Sequence, residues 1–162
     1  MIAVLQRVSR AQVTVEGRVV GAIERGLVVL LGVATGDDGQ DVDWMARKIA
    51  SLRVFQDAAG KMNFDIRQIN GSILLVSQFT LLADLSGGNR PSFTLAEEPS
   101  LARRRIEEVA THLKTSGIAV AQGEFGTSML VTLDNDGPVT ILLDSRSRPT
   151  GSNPTNSSER LK

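Results

Sequence analysis

Two short polar segments of the chain have residue types and spacing that could do chemistry. Ser77-Gln78-Phe79-Thr80-Leu81 lies in the later part of an apolar run at 73–82 and puts two hydroxyls and an amide where a buried strand would carry Leu or Val. Polar groups at such positions must find hydrogen-bond partners or line a cavity. A Ser or Thr hydroxyl becomes a nucleophile only beside a base. Backbone N–H groups can instead hold a carbonyl oxygen as it turns into an oxyanion, at ~2.7–4 kcal/mol for a well-placed donor. The other reading, which spacing alone favours, is a strand end meeting solvent. The second segment is Asn135-Asp136-Gly137-Pro138-Val139-Thr140. Turn chemistry accounts for each of its residues as a hairpin loop. Yet glycine leaves its carbonyl uncovered and proline fixes the chain direction, so the pair can also present rigid carbonyl oxygens to a ligand.

Composition narrows the chemistry available. The 162 residues include no cysteine and one histidine, His112. Thiolate metal sites, disulfide scaffolds, cysteine nucleophiles and two-histidine mechanisms are therefore excluded. His112 falls in a helical pattern beside Glu108 and reads as solvent-facing rather than as a base for Thr80. No apolar run approaches the ~20 residues of a membrane helix, and the first residues lack the pattern of a signal peptide. A soluble cytoplasmic protein without membrane contact is expected. Lys+Arg and Asp+Glu balance at 18 each, with residues 1–144 at net −3 and 145–162 at net +3. A slightly acidic body is a poor collector of long nucleic acids, so any RNA contact should involve a small, shaped part of the molecule. Arg103-Arg104-Arg105 offers a phosphate patch, but the favoured reading is a solvated helix face paired with Glu107 and Glu108.

The elements that must position these segments follow from periodicity. Strands are expected at 2–8, 10–16 and 18–23, the last two as a hairpin turning at Gly17. A strand at 26–33 is apolar on both faces. Acidic residues at 35–43 introduce a helix whose apolar positions are Val42, Met45, Ala46, Ile49 and Leu52. The run at 73–82 is a second buried strand. Pro99-Ser100 opens a second helix that turns Ile106, Val109, Ala110 and Leu113 inward and stops at Gly117. Strands at 118–121, 125–133 and 139–143 complete the pattern, the last two joined by a loop at 134–138. This predicts a single α+β domain at 1–144, mostly antiparallel, with two main helices and a barrel-like sheet. The Ser-, Pro- and Asn-rich residues 145–162 are expected to be a disordered tail.

With the elements in order, the chain resembles the D-aminoacyl-tRNA deacylases, also known as D-tyrosyl-tRNA deacylases. Ser77-Gln78-Phe79-Thr80 and Gly137-Pro138 look like that family's two signature motifs. Gln6-Arg7-Val8, residues 26–32, Arg90-Pro91-Ser92-Phe93 and the Phe125-Gly126…Met129 run match in the same order. The resemblance covers about residues 1–144. It implies hydrolysis of the ester joining a D-amino acid, or glycine mischarged on tRNA(Ala), to the 3′-terminal ribose of tRNA. It also implies a homodimer, no cofactor and no metal.

The resemblance further implies that a cis Gly137-Pro138 from one subunit reaches the partner's site and sterically rejects L-aminoacyl esters. Ser77, Gln78, Phe79 (through its backbone N–H) and Thr80 would form the catalytic segment. Thr80 would position the substrate, with the ribose 2′-hydroxyl assisting the reaction. Phe79 and Phe125, with Met129 behind them, would hold the terminal adenosine. The loop 85–89 is poorer in Lys and Arg than in many relatives, and Arg7 is a candidate supporting residue. Two rival readings stay open: a non-catalytic nucleic-acid-binding module on the same fold, and a Thr80-dependent esterase of small molecules.

Overall fold

The computed structural model describes residues 1–148. Its first strand, β1 (Ile2–Val15), is one long strand where the sequence suggested two. It turns through Glu16 and Gly17, both at positive φ, into β2 (Arg18–Ile23) as an antiparallel hairpin. The strand β3 (Gly26–Gly32) pairs antiparallel with the first half of β1. Next come α1 (Gly39–Ser51), the short hairpin β4 (Phe55–Gln56) and β5 (Met62–Phe64), and β6 (Ser72–Ser77). A 3-10 turn (Phe79–Leu82), α2 (Pro99–Thr115), β7 (Ala119–Gln122) and β8 (Leu130–Asp144) complete the order.

The sheet is mixed, which corrects the expectation of a mostly antiparallel one. The β3–β6 and β6–β7 pairs are parallel. The reason lies in the connections: each of the strands β3 and β6 is followed by a helix that carries the chain back over one face before the next strand of the ladder begins. Both strands are covered on both sides, as their unbroken apolar runs require. Leu27, Val29 and Leu31 of β3 and Ile73 and Leu75 of β6 meet the helices in the main core, together with Met45, Ile49, Val109 and Leu113. Val28, Leu74 and Val76 face the other way and meet Val8, Val13 and Ile23 inside the curl of the sheet. That curl brings β2 against β7: a methyl group at Gly21 would lie 2.5 Å from the Gln122 carbonyl oxygen. The result is a nearly closed, barrel-like sheet with two helices on one face.

Two of the sequence-based boundaries shift. The strand expected at 73–82 ends at Ser77, and the chain coils into the 3-10 turn. Residues 123–129 form no strand, and 130–144 form a single strand rather than two strands and a loop. β8 runs antiparallel along β1 throughout, and the residues read as a hairpin loop are extra length on that strand. Gln6 of β1 faces Thr140 and Val8 faces Asn135, so 136–139 bulge out without reversing the chain. Such a bulge leaves the ladder intact on both sides and re-aims what it carries.

Order also continues past 144. Ser145–Ser147 form a 3-10 turn, Ser145 is fully buried, and its hydroxyl lies 2.6 Å from the Met1 α-ammonium. Asp37 pairs with the same ammonium at 2.8 Å, and Arg148 with Asp41 at 2.6 Å. Residues 145–148 therefore belong to the fold. The rest of the expected tail, 149–162, lies outside the described residues. No helix among the described residues is long and apolar enough to cross a membrane.

The Ser145 contact yields a stability prediction. Hydrogen bonds to a charged group contribute about 1.5–3 kcal/mol, so Ser145→Ala should destabilise the protein by roughly that amount. Urea denaturation with an unchanged m-value would report it as a lowered midpoint.

Candidate active site

The site grows from the end of β6. The Gln78 N–H donates to the Leu31 carbonyl at 2.8 Å, one step beyond the last β3–β6 pair. The chain then coils, with the Leu81 N–H donating to the Gln78 carbonyl at 3.2 Å. Gly32 makes room for this coil. A side chain there would start 2.8 Å from the Gln78 carbonyl oxygen and 2.5 Å from a Leu82 methyl. Because the turn's hydrogen bonds begin at Leu81, the N–H groups of Phe79 and Thr80 have no acceptor within it. They are the two main-chain donors at the mouth of the segment.

Beside this turn lies a cavity of about 450 Å³. Leu31, Val33 and Ile106 make it apolar, and Phe79, Phe93 and Phe125 wall it. Phe79 is 58% exposed and meets Phe93 edge-on, with ring centroids 4.9 Å apart at 71°. Ser77 and Gln78 also line the cavity, and the Gln78 side-chain amide donates to the Thr80 hydroxyl. Thr80 is thus held by an amide, which cannot take its proton. His112 pairs with Asp43 at 3.1 Å between the two helices and is not among the residues lining the cavity. Nucleophilic catalysis by Thr80 would need a base, and the side chain in contact with its hydroxyl is not one.

At the other rim stand Glu97 and Glu98. The Ser100 hydroxyl, followed by the Ser100 and Leu101 N–H groups, holds the Glu98 carboxyl below its usual range as it caps α2. Two carboxylates make this edge unfavourable for a phosphate. No group of three or more acidic or histidine side chains among the described residues could hold a metal ion.

The remaining predicted residues lie elsewhere. Met129 is not in the cavity lining. It packs over Gly123, with its sulfur 2.7 Å from where a Gly123 Cβ would be, against the second core cluster. Gly137 and Pro138 are exposed on the β8 bulge and do not line the cavity of their own chain. The bond between them is cis, as the resemblance implies.

Arg7 anchors this bulge. It is only 5% exposed and donates to the Asp136 carbonyl at 2.8 Å and to the Val54 carbonyl at 2.5 Å. Asn135 closes the other side by accepting from the Val139 N–H at 2.8 Å. Sequence reasoning assigns Arg7 no definite role and gives Phe93 none. For Arg7 the signal is its position, since Ala3, Leu5 and Arg7 alternate onto one buried side of β1. For Phe93 there is none beyond its place in a matching run.

Comparison with known proteins completes the description. The model of the family described as "D-Tyr-tRNA(Tyr) deacylase" matches residues 4–144. A protein named D-aminoacyl-tRNA deacylase from Anaeromyxobacter dehalogenans is 55% identical over 146 residues, covering 90% of this chain and 98% of that one. One of the same name from Thermosipho africanus is 50% identical over 146 residues, with 90% and 98% covered. Among solved structures, one described as a c-Myc DNA unwinding element binding protein superposes with a TM-score of 0.83 at 41% identity, covering 89% of this chain and 98% of its own. A second, described as a probable eukaryotic D-amino acid tRNA deacylase, shares the fold alone, with a TM-score of 0.75 at 14% identity, 88% of this chain and 97% of that one being covered. By the extent of these matches, with both signature segments inside the matched region, the chain belongs to the D-Tyr-tRNA(Tyr) deacylase family.

Proposed function

We propose that this protein hydrolyses the ester bond of D-aminoacyl-tRNA, and of glycyl-tRNA mischarged on tRNA(Ala), and that it rejects L-aminoacyl-tRNA. The observation that carries the reading is the pairing, at the end of β6, of open main-chain donors with an apolar cavity walled by aromatic rings. Family membership supplies the substrate class. An aminoacyl ester is already activated, so hydrolysis needs its carbonyl held toward the Phe79 and Thr80 N–H groups and access for water. Thr80, fixed by Gln78, orients the substrate. The terminal adenosine occupies the cavity between Phe79 and Phe125, with Met129 as a more distant support. No metal or cofactor takes part.

Rejection of L-substrates is assigned to the Gly137 and Pro138 carbonyls of a second copy of the chain. In their own chain these residues are exposed and are not among the residues lining the cavity. Among the described residues β8, which carries them, pairs only with β1, and it exposes Leu130 and Leu142 at 67% each. An uncovered edge of this kind suits a homodimer. In such a dimer the carbonyls accept from the substrate's α-ammonium and crowd its Cα. An L side chain collides there, while a D side chain points outward. Glycine, with no side chain, passes.

Three measurements test this. Purified protein should release D-amino acid from D-aminoacyl-tRNA far faster than buffer does, and leave the L-ester intact. Release no faster than buffer sinks the reading and leaves the binding module and the small-molecule esterase. Gly137→Ala should lower kcat/KM for the D-ester by about tenfold or more, or narrow the D-to-L ratio. The reason is that a methyl there falls 2.7 Å from a Val139 methyl and 3.1 Å from Arg7 at a φ of +143°. Thr80→Ala should cost no more than about tenfold, the scale of one neutral hydrogen bond. A loss on the order of 10⁴-fold or greater would instead mark Thr80 as a nucleophile.

A further inference from the structure

Phe125 stands in the 123–129 segment, which belongs to no strand. The segment is tied at its start, where the Gly123 N–H donates to the Leu75 carbonyl at 3.0 Å and Thr127 closes back on the Glu124 carbonyl. Those ties fix the backbone and leave the ring to be held by what packs on it. The ring borders two hollows. One is the large cavity, and the other is a smaller space of about 180 Å³ lined by Arg103, Glu107, Gln122 and Gly123. Arg103 borders only the smaller one. Its guanidinium carbon lies over the Phe125 ring, 5.5 Å from the centroid, and Glu107 stands 3.8 Å from its Nε. Arg103 is thus more than the solvated helix residue that charge spacing suggested.

The physical consequence is a ring clamped from behind. A cation over an aromatic face is attracted by the ring's quadrupole. The hollow behind the ring is also several times the ~30 Å³ share of one water, so without the guanidinium the ring has room to tilt out of the cavity wall. We propose that Arg103 is a positioning residue for the adenosine end of the substrate, holding Phe125 so that its opposite face is set for stacking on the terminal purine. This rests on the function proposed above. It separates the work of the site: Arg103 acts on binding of the base, and the 78–80 segment acts on the ester. The carboxylates of Glu97 and Glu98 hold the far rim negative, leaving Arg103 as the cation over the purine wall.

The test is a coupling measurement on the full chain with D-aminoacyl-tRNA. Arg103→Met, which keeps a long unbranched side chain and the helix propensity but removes the charge, should raise KM about two- to fivefold, with kcat and the melting temperature unchanged. Arg103→Lys, which keeps a cation, should recover most of the loss. In a Phe125→Leu background, where KM is already raised, Arg103→Met should add nothing. An equal further rise in that background overturns the proposal and makes Arg103 a direct phosphate contact. An unchanged KM in the single variant, or a fall in kcat alone, also overturns it. Calorimetric binding of a non-hydrolysable 3′-aminoacylamino-adenosine to the same set of proteins gives the same readout independently of turnover. If the native protein proves inactive on the ester, the function fails while the Arg103–Phe125 coupling is still decided by binding.

Discussion

Where the β3–β6 ladder stops, the site starts. The Gln78 N–H makes one more bond to the Leu31 carbonyl after the last paired residues, and the chain immediately coils. That single rung fixes the height of the 3-10 turn over the sheet. It also determines that Ser77 and Gln78 face the cavity and that the Phe79 ring stands at its mouth. The rung depends on Gly32, because any side chain there would collide with the Gln78 carbonyl and push the turn away from β3. A parallel ladder suits the purpose because its strands are buried on both faces, so the last residues before the turn have a rigid base.

A second constraint holds the other signature segment. Arg7 is a charged side chain on the buried side of β1, in line with Ala3 and Leu5, and burying it is costly unless its donors are satisfied. Carbonyls satisfy it, those of Asp136 on the bulge and Val54 beyond α1, with the Asp136 carboxylate 3.4 Å away. The bulge is therefore tied to the interior of the molecule although its tip is exposed. The two signature segments, far apart in the chain, are each tied to a neighbouring strand, Ser77–Thr80 by the Gln78 N–H to the Leu31 carbonyl of β3 and Gly137–Pro138 through the buried Arg7 side chain of β1. Neither relies on mobile surface side chains for its position.

Much of this was legible in the residues, and the gaps have physical reasons. The helices could be read because Val42, Met45, Ala46 and Ile49, and Ile106, Val109, Ala110 and Leu113, repeat at helical spacing and are buried where that spacing puts them. The double-sided burial of β3 and β6 was legible from their unbroken apolar runs. Their parallel direction was not drawn from it, although the strand–helix–strand order carried that information. The 134–138 segment misled because Asn, Asp, Gly and Pro favour a bulge as readily as a reversal. Only the pairing of β8 with β1 on both sides of it distinguishes the two. Ser145 looked like the start of a polar tail because its partner, the Met1 ammonium, is at the opposite end of the chain. Local residue types singled out Ser77–Thr80, of which Ser77, Gln78 and Phe79 line the cavity, and Gly137–Pro138, which are not in its lining. Phe93, Arg7 and Arg103 gain their meaning only from contacts between distant segments.

The donors proposed to hold the ester carbonyl belong to the main chain, and that governs how mutagenesis of this molecule must be interpreted. Truncating residue 79 or 80 strips away a ring or a hydroxyl but leaves the amide hydrogen of that position where it was. Only proline, or an ester substituted into the backbone by chemical synthesis, deletes it. An alanine scan across this stretch consequently measures packing and orientation, and is blind to electrostatic stabilisation supplied by the peptide groups themselves.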